Sequence, residues 1–373
     1  MNESASVVVF PAIFAKNKKT LLISNIKKIL KIHNQQFGKI RMDDDVITIE
    51  ANDPVFASAS INNLYGIEQV SIARCVENKF NDVVSTIAKI GTNLLLRGEI
   101  FKVKVDGHSF GYLPKDVEIA ATGTLIEKVI DLECRPGSDT KYDKLIHCHL
   151  TRKNAYISIF LEKGHGGVPY NSQGEKMLCC IYDELSAISC LETIKQGFDV
   201  RILICYNTNA NLMELVKITN RILPRLVQTD IILDFCKVTI KHNTGKSMQQ
   251  KTLLLTAILS EIARKCKIQR ISLSLSPIIF PIWLIEQNLN MISKNNLKPW
   301  IALAGIDSAL LDTARDIGLG KYLSRLEKYG LLKFSQKKQD LSKMVQNAIE
   351  SHKSITIKIG QNNVHDILDL LNQ

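Results

Sequence analysis

The sequence predicts an α/β protein built in two styles, an α+β N-terminal half followed by a doubly wound parallel sheet. Three observations carry that prediction. Strand-like and helix-like runs alternate as β-α-β-α-β over residues 7–76. From Gly174 the pattern becomes a regular strand–helix repeat, the sign of parallel β-α-β units. Between them lies Gly164-His165-Gly166-Gly167-Val168-Pro169, which reads as a glycine-rich linker.

The chain has 373 residues, room for two or three domains. Hydrophobic residues make up 45% and charged residues 23%, a balance that buries sizeable cores. No apolar run reaches the roughly 18 residues of a membrane span, so no membrane partner is expected. Met1 to Ser6 has no basic flank and carries Glu3, so no signal peptide is read and a cytoplasmic protein is expected. Formal net charge is +11, and from Asn171 onward 26 Lys+Arg face 18 Asp+Glu. Such a balance favours a polyanion, nucleic acid first, against the plainer reading of a solvated basic face.

In order, Val7–Phe10 is a strand and Lys18–Ile32 a helix, with Leu22, Ile26, Ile29 and Leu30 on one face. Asp43-Asp44-Asp45 is a turn before the strand Val46–Ile49. Asp53 can cap a helix that starts on Pro54 and ends near Tyr65-Gly66-Ile67. Val70–Val76 completes an order that fits a small ferredoxin-like unit. Asn81–Leu96 is a helix stopped at Arg97-Gly98, Phe101–Val105 a strand, and Lys115–Ile130 a helix. Leu145–Leu150 and Ala155–Leu161 form a strand pair with Arg152-Lys153-Asn154 at the turn. Lys102, Lys104, Lys115, Arg152 and Lys153 are candidates for a phosphate-facing patch, against a solvated sheet face and turn.

The repeating half has strands at Met177–Ile181, Val200–Tyr206, Thr229–Leu233, Arg270–Leu275 and Trp300–Ala304, with a late one at Ser354–Ile359. Helices are expected at Asn211–Leu223, Gln249–Lys267, Ser308–Ile317 and Asn363–Leu371, with a basic exposed segment at Lys337–Lys343. The turn after the first strand points at the carboxyl edge of the sheet, where such folds bind nucleotides. A phosphate cradle there needs glycines, so that backbone amides can approach the phosphates. The residues present are Ile181, Tyr182, Asp183, Glu184, Leu185 and Ser186: no glycine, and two carboxylates.

The nine cysteines are odd in number and contain no CxxC, so a disulfide framework is not expected; they read as small buried hydrophobes. His147-Cys148-His149 cannot close on one ion, because alternation places the histidines on one face and the cysteine on the other, and a half-exposed strand is the expectation. No metal site is assigned.

Particular segments resemble a known family. Ala155-Tyr156-Ile157, then Gly164-His165-Gly166-Gly167-Val168-Pro169, then Gly174 before a strand, are similar to the exit from the RNA-binding THUMP domain of the tRNA 4-thiouridine synthase family (tRNA sulfurtransferase, thiamine-biosynthesis type). Phe101–Val105 with Phe110, Glu118-Ile119 and Gly123 resembles the THUMP start, and Leu64-Tyr65-Gly66-Ile67 the end of the preceding ferredoxin-like unit. Leu303-Ala304-Gly305-Ile306-Asp307 and Ala314–Gly318 resemble late motifs of the family. The resemblance runs over nearly the whole chain in the same order. It implies a ferredoxin-like domain (1–78), a THUMP domain (79–168) and a Rossmann-like PP-loop pyrophosphatase domain (169–373), with tRNA as partner.

The departures lie in the chemistry. The family's PP-loop reads S-G-G-x-D-S; aligned on Ile181 to Ser186, only Ser186 matches. Side chains at Tyr182 and Asp183 replace glycines, and Asp183 and Glu184 would repel a triphosphate unless a metal bridged them. Ser272–Leu275 stands where the family has T-G-E-S, and the last cysteine is Cys266, ahead of the region where sulfur delivery needs one. These departures imply a non-catalytic tRNA-binding relative with no cofactor. The alternatives are an ATP- and Mg²⁺-dependent enzyme with a rewired loop, and an adaptor that presents tRNA to a modification enzyme through the apolar stretch 277–285; a homodimer is compatible with all three. Two local look-alikes fail. Thr244-Gly245-Lys246-Ser247 lacks the first P-loop glycine, since residue 240 is Ile240. Gly305-Ile306-Asp307-Ser308 has too little chain after it, and Asp307 reads as a helix cap. Lys241, Lys246 and Lys251 could touch RNA phosphates; Trp283 and Trp300 could stack bases, although Trp283 lies in an apolar run.

Overall fold

The structure, a computed structural model, describes residues 5–239, 245–305, 308–320, 334, 340–360 and 363–372. The chain divides into two compact units, Met1–Gly166 and Gly167–Gln373.

The first unit begins with β1 (Ser6–Pro11), α1 (Lys19–Ile32), β2 (Phe37–Asp43), β3 (Val46–Ala51), α2 (Pro54–Asn62) and β4 (Ile67–Glu77). The order is β-α-β-β-α-β, so the expected β-α-β-α-β lacked one strand. That strand, β2, is an edge strand with no residue buried, and its sequence FGKIRMD shows no alternation to betray it. Asp53 caps α2 as expected, accepting from the amides of Val55 (3.0 Å) and Phe56 (3.1 Å).

The unit continues with α3 (Phe80–Leu94), β5 (Ile100–Gly107), α4 (Pro114–Lys128), β6 (Arg135–Pro136), β7 (Lys144–Leu150) and β8 (Asn154–Gly166). One eight-stranded sheet holds all of it, in the order β2-β3-β1-β4-β8-β7-β5-β6. Its longest seam is antiparallel β4–β8, running from Glu77 opposite Asn154 to Ile67 opposite Gly166. The first residues of the expected linker are therefore strand. Gly164 is required there because a Cβ would lie 2.3 Å from the carbonyl oxygen of Ile67. Helices α3 and α4 cover one face, where Ile87, Phe101, Leu125, Ile146 and Cys148 belong to one core.

The second unit contains β9 (Lys176–Ile181), α5 (Glu184–Lys195), β10 (Asp199–Tyr206), α6 (Asn209–Ile222), β11 (Asp230–Lys237), α7 (Gly245–Lys265) and β12 (Arg270–Leu273). It ends with α8 (Ile282–Lys294), β13 (Lys298–Ile301), α9 (Ser308–Asp316), α10 (Ser342–Glu350), β14 (Lys353–Lys358) and α11 (Asn363–Asn372). The sheet order is β13-β12-β9-β10-β11-β14; the first five strands are parallel and β14 runs antiparallel. Chain order reverses between β9 and β12, and the loop after β9 sits at that switch point. The strands of β9 to β11 are near-continuous apolar runs because both faces are covered. Helix α8 was not anticipated from sequence: its first turn lies inside the apolar stretch 277–285. Of that stretch, Ile279, Phe280, Leu284 and Ile285 are core, whereas Ile278 and Ile282 are exposed. Residues 337–339 of the expected basic segment lie outside the described residues. No helix among the described residues is long and apolar enough to cross a membrane.

Candidate nucleotide loop and basic residues

The turn after β9 is closed by its own side chains. Asp183 is the N-cap of α5 and accepts from the Ser186 amide at 2.9 Å. Ser186 is buried, and its Oγ accepts from the amides of Tyr182 (2.8 Å) and Asp183 (2.9 Å). Those amides are the donors a phosphate would need, and a hydroxyl already holds them. On the other side, Lys251 of α7 reaches Asp183 Oδ2 at 3.2 Å and lies 4.4 Å from the centre of the Tyr182 ring. Both partners of this ion pair are largely buried, so the pair is sheltered from the screening that weakens surface pairs. Leu185 is core and Ile181 ends the buried strand. Lys251, grouped by sequence with the lysines expected at RNA phosphates, is instead the loop's internal counter-ion. Residues 240–244 and Asp307 lie outside the described residues, so neither look-alike motif is placed in full.

The basic candidates fall in two groups. Lys102 and Lys104 lie on the same face of β5. Lys102 pairs with Asp139 at 3.0 Å and approaches Glu118 at 3.6 Å, and Lys115 at the start of α4 pairs with the same Glu118. Lys102, Lys115 and Lys104 all act on Asp139 and hold its carboxyl below the usual range. Lys104 is exposed. Arg152 and Lys153 form the second group at the β7–β8 turn, exposed, with the Arg152 amide donating to Asp44 at 2.6 Å.

Between these groups lies a cluster that sequence reading missed. His147 and His149 do share one face of β7, but the strand is buried on both sides, not half exposed, because Phe10 and the Asp43–Asp45 turn cover the histidine face. Cys148 points into the core under α3 and α4. Asp106 accepts from His147 Nε2 (2.9 Å) and His149 Nδ1 (2.5 Å), and His149 Nε2 donates to Asp45 at 3.0 Å. Burial opposes a charge on His149, but the hydrogen bonds to Asp106 and Asp45 outweigh it and push the imidazole up to about 9. Burial likewise opposes ionisation of Asp106, yet the two histidines hold it well below the usual carboxylate range. The signal was in the sequence, a turn of three aspartates and an aspartate ending β5, but only the sheet brings them to the histidines. Beside them Asp43 Oδ2 accepts from Thr151, Asn154 and Tyr156. All nine cysteines are free; Cys179, Cys180, Cys190, Cys205 and Cys236 are buried as expected, and Cys75 is exposed. Trp300 packs its ring 5.1 Å from Phe198 inside the second unit.

No family model matches the chain. The sequence is 24% identical over 192 residues to a probable tRNA sulfurtransferase of Methanosarcina acetivorans, covering 50% of this chain and 46% of that protein. It is 24% identical over 183 residues to the Streptococcus pneumoniae protein of the same description, covering 48% and 44%. The chain thus spans about half the length of the curated relatives it matches. Among solved structures, a 4-thiouridine synthetase in complex with RNA and bound ATP superposes with a TM-score of 0.63 at 14% identity, over 95% of this chain and 100% of that one. PH1313 from Pyrococcus horikoshii superposes with a TM-score of 0.62 at 17% identity, over 84% and 100%.

Proposed function

We propose that this chain, which is 4-thiouridine synthase-like in sequence and fold, binds tRNA without thiolating it. Residues 1–78 and 79–168 are read as ferredoxin-like and THUMP parts that grip RNA through its shape and phosphates, and 169–373 as a PP-loop fold retained as a scaffold. The observation that carries this reading is the loop Ile181–Ser186. Its amides are bound by the Ser186 hydroxyl, and its carboxylate is bound by Lys251. A triphosphate would have to displace both and approach past the side chains of Tyr182 and Asp183.

On the RNA side, Lys104, Arg152 and Lys153 are the exposed cations of the proposed patch. Lys102 and Lys115 are tied to Glu118 and Asp139, so they would have to exchange carboxylates for phosphates. The decisive reaction mixes the protein with α-labelled ATP, Mg²⁺, bulk tRNA and sulfide, which bypasses the missing cysteine. The expected result is a tRNA gel shift with neither AMP nor thiolated tRNA. AMP formation that depends on tRNA would establish the competing reading, an ATP-dependent tRNA-modifying enzyme with a rewired loop. The adaptor reading rests on exposed Ile278, ahead of α8, and exposed Ile282, its first residue.

A further inference from the structure

Helix α4 is apolar on two sides. Its inward side places Val117, Ala121 and Leu125 in the core of the first unit. Its outward side carries Ile119, Gly123 and Ile126, and the stripe continues to Ile130 in the short helical turn that follows. Spacings of four and three residues place Ile119, Gly123 and Ile126 on one line along the helix, and Ile130 follows in the turn after the helix ends at Lys128. Ile119 is 64% exposed, Ile130 70% and Ile126 37%, against the fully buried Val117, Ala121 and Leu125 of the inward side. Nothing lies within 4 Å of a Cβ built on Gly123, so the middle of the stripe is a shallow, open notch. The hydroxyls of Thr122 and Thr124 turn back onto the carbonyls of Glu118 and Ala120, so they do not wet the stripe.

A second row runs beside the stripe on one flank: Asp116, Ala120 and Glu127 at helical spacing, with Asp131 in the short turn that follows the helix. Its three carboxylates are exposed. Neither Glu127 nor Asp131 has an ion-pair partner among the described residues. In a chain of net charge +11, an acidic row along an apolar seam is a local reversal of sign. It disfavours RNA, whose phosphates it would repel. It also disfavours a second α4 packed antiparallel about a two-fold axis, because like flanks then meet and acid would face acid.

We infer that this face of α4 docks an amphipathic helix of another protein, one whose apolar seam is bordered by lysine or arginine. The apolar seam of the incoming helix would lie along Ile119, Ile126 and Ile130, with the Gly123 notch letting the two backbones approach. Its basic flank would lie along Glu127 and Asp131, since the Asp116 carboxylate already accepts from the Leu113 amide at the helix start, and would set its direction and register. The inference does not rest on the tRNA reading, since it uses neither the basic patch nor the loop after β9.

The test uses the full chain and two designed 18-residue helical peptides with one leucine seam, flanked by lysine in one and by glutamate in the other. Binding is followed by fluorescence anisotropy of the labelled peptide. The lysine peptide is expected to bind at least tenfold more tightly than the glutamate peptide, against the trend set by the overall charge. Ile126→Asp, on the solvent side of the helix, is expected to weaken it at least tenfold while leaving the circular dichroism spectrum and tRNA affinity unchanged. The double variant Glu127→Lys/Asp131→Lys is expected to reverse the preference toward the glutamate peptide. Equal binding of the lysine peptide to wild type and Ile126→Asp would overturn the inference. So would loss of tRNA affinity in Ile126→Asp, which would give the face to RNA. A concentration-dependent dimer of the free chain that Ile126→Asp dissolves would give it to a second copy and overturn it equally.

Discussion

At the scale of single residues, two charged groups do most to fix local geometry, and each makes a prediction. Asp183 serves α5 as N-cap and Lys251 as counter-ion. Asp183→Ala removes both roles; the lost cap alone should cost about 0.5–2 kcal/mol, and the stranded Lys251 adds to it, read as a lower urea midpoint with unchanged m. Asp183→Asn keeps the cap but not the charge and should cost less; an equal loss in both variants would show that the ion pair, and not the cap, matters. His149 makes a pH prediction. Its folded-state value of about 9 lies above the ordinary imidazole value of 6.5. Its contribution is therefore complete below about pH 6.5 and drains away as pH rises toward 9. Asp106 behaves oppositely: its value is depressed in the fold, so its contribution is present above about pH 4 and is lost in acid. His149→Gln should flatten the alkaline limb of a stability–pH curve between pH 6.5 and 9. A slope unchanged from wild type would mean the imidazole is not held as a cation.

At the scale of elements, β14 illustrates what sequence could and could not show. Its position and length were legible from an alternating apolar run. Its direction was not, because a final antiparallel strand on a parallel sheet leaves no mark in the pattern. The strand is anchored by buried Asp234 on β11, which accepts from Arg201 through both oxygens (2.6 and 2.9 Å) and from His352 at 2.9 Å and Ser354. Asp234→Ala would strand the Arg201 guanidinium and should cost about 3–5 kcal/mol, seen in chemical denaturation. A loss under 1 kcal/mol would mean water replaces the carboxylate. Two of the elements not read from sequence have separate causes: β2 lies at an edge with no buried face, and α8 begins inside a run read as continuous apolar surface. The loop after β9 was legible as glycine-free and acidic; its closure by Ser186 is local to the cap, whereas the ion pair with Lys251 needed α7 to be brought against Asp183.

For the whole molecule, the net charge of +11 and the proposed RNA grip together predict a steep salt dependence. With about four phosphate contacts, the logarithm of tRNA affinity should fall with log salt at a slope near −3 to −4. Arg152→Glu and Lys153→Glu should each weaken binding and reduce that slope by about one, in gel shifts at several salt concentrations. A salt-independent affinity would exclude a phosphate grip. The broad architecture, an α+β half followed by a doubly wound sheet, was legible because periodicity reports burial. The union of the first eight strands into one sheet was not, because β4 and β8 are joined by pairing between residues separated by most of a domain.

That long seam governs the order in which the protein can be made. Until Asn154–Gly166 emerge, β4 has no partner on its outer side, although all of β1 to β4 has been synthesised. At roughly 5–20 residues per second, the gap lasts on the order of 4–15 s, ample time for an open strand edge to find the wrong neighbour. The nascent chain therefore passes through a window in which the outer edge of β4 is open to mispairing. Synonymous slowing at any stage when β4 is outside the ribosome and Asn154–Gly166 are still inside it would lengthen that window.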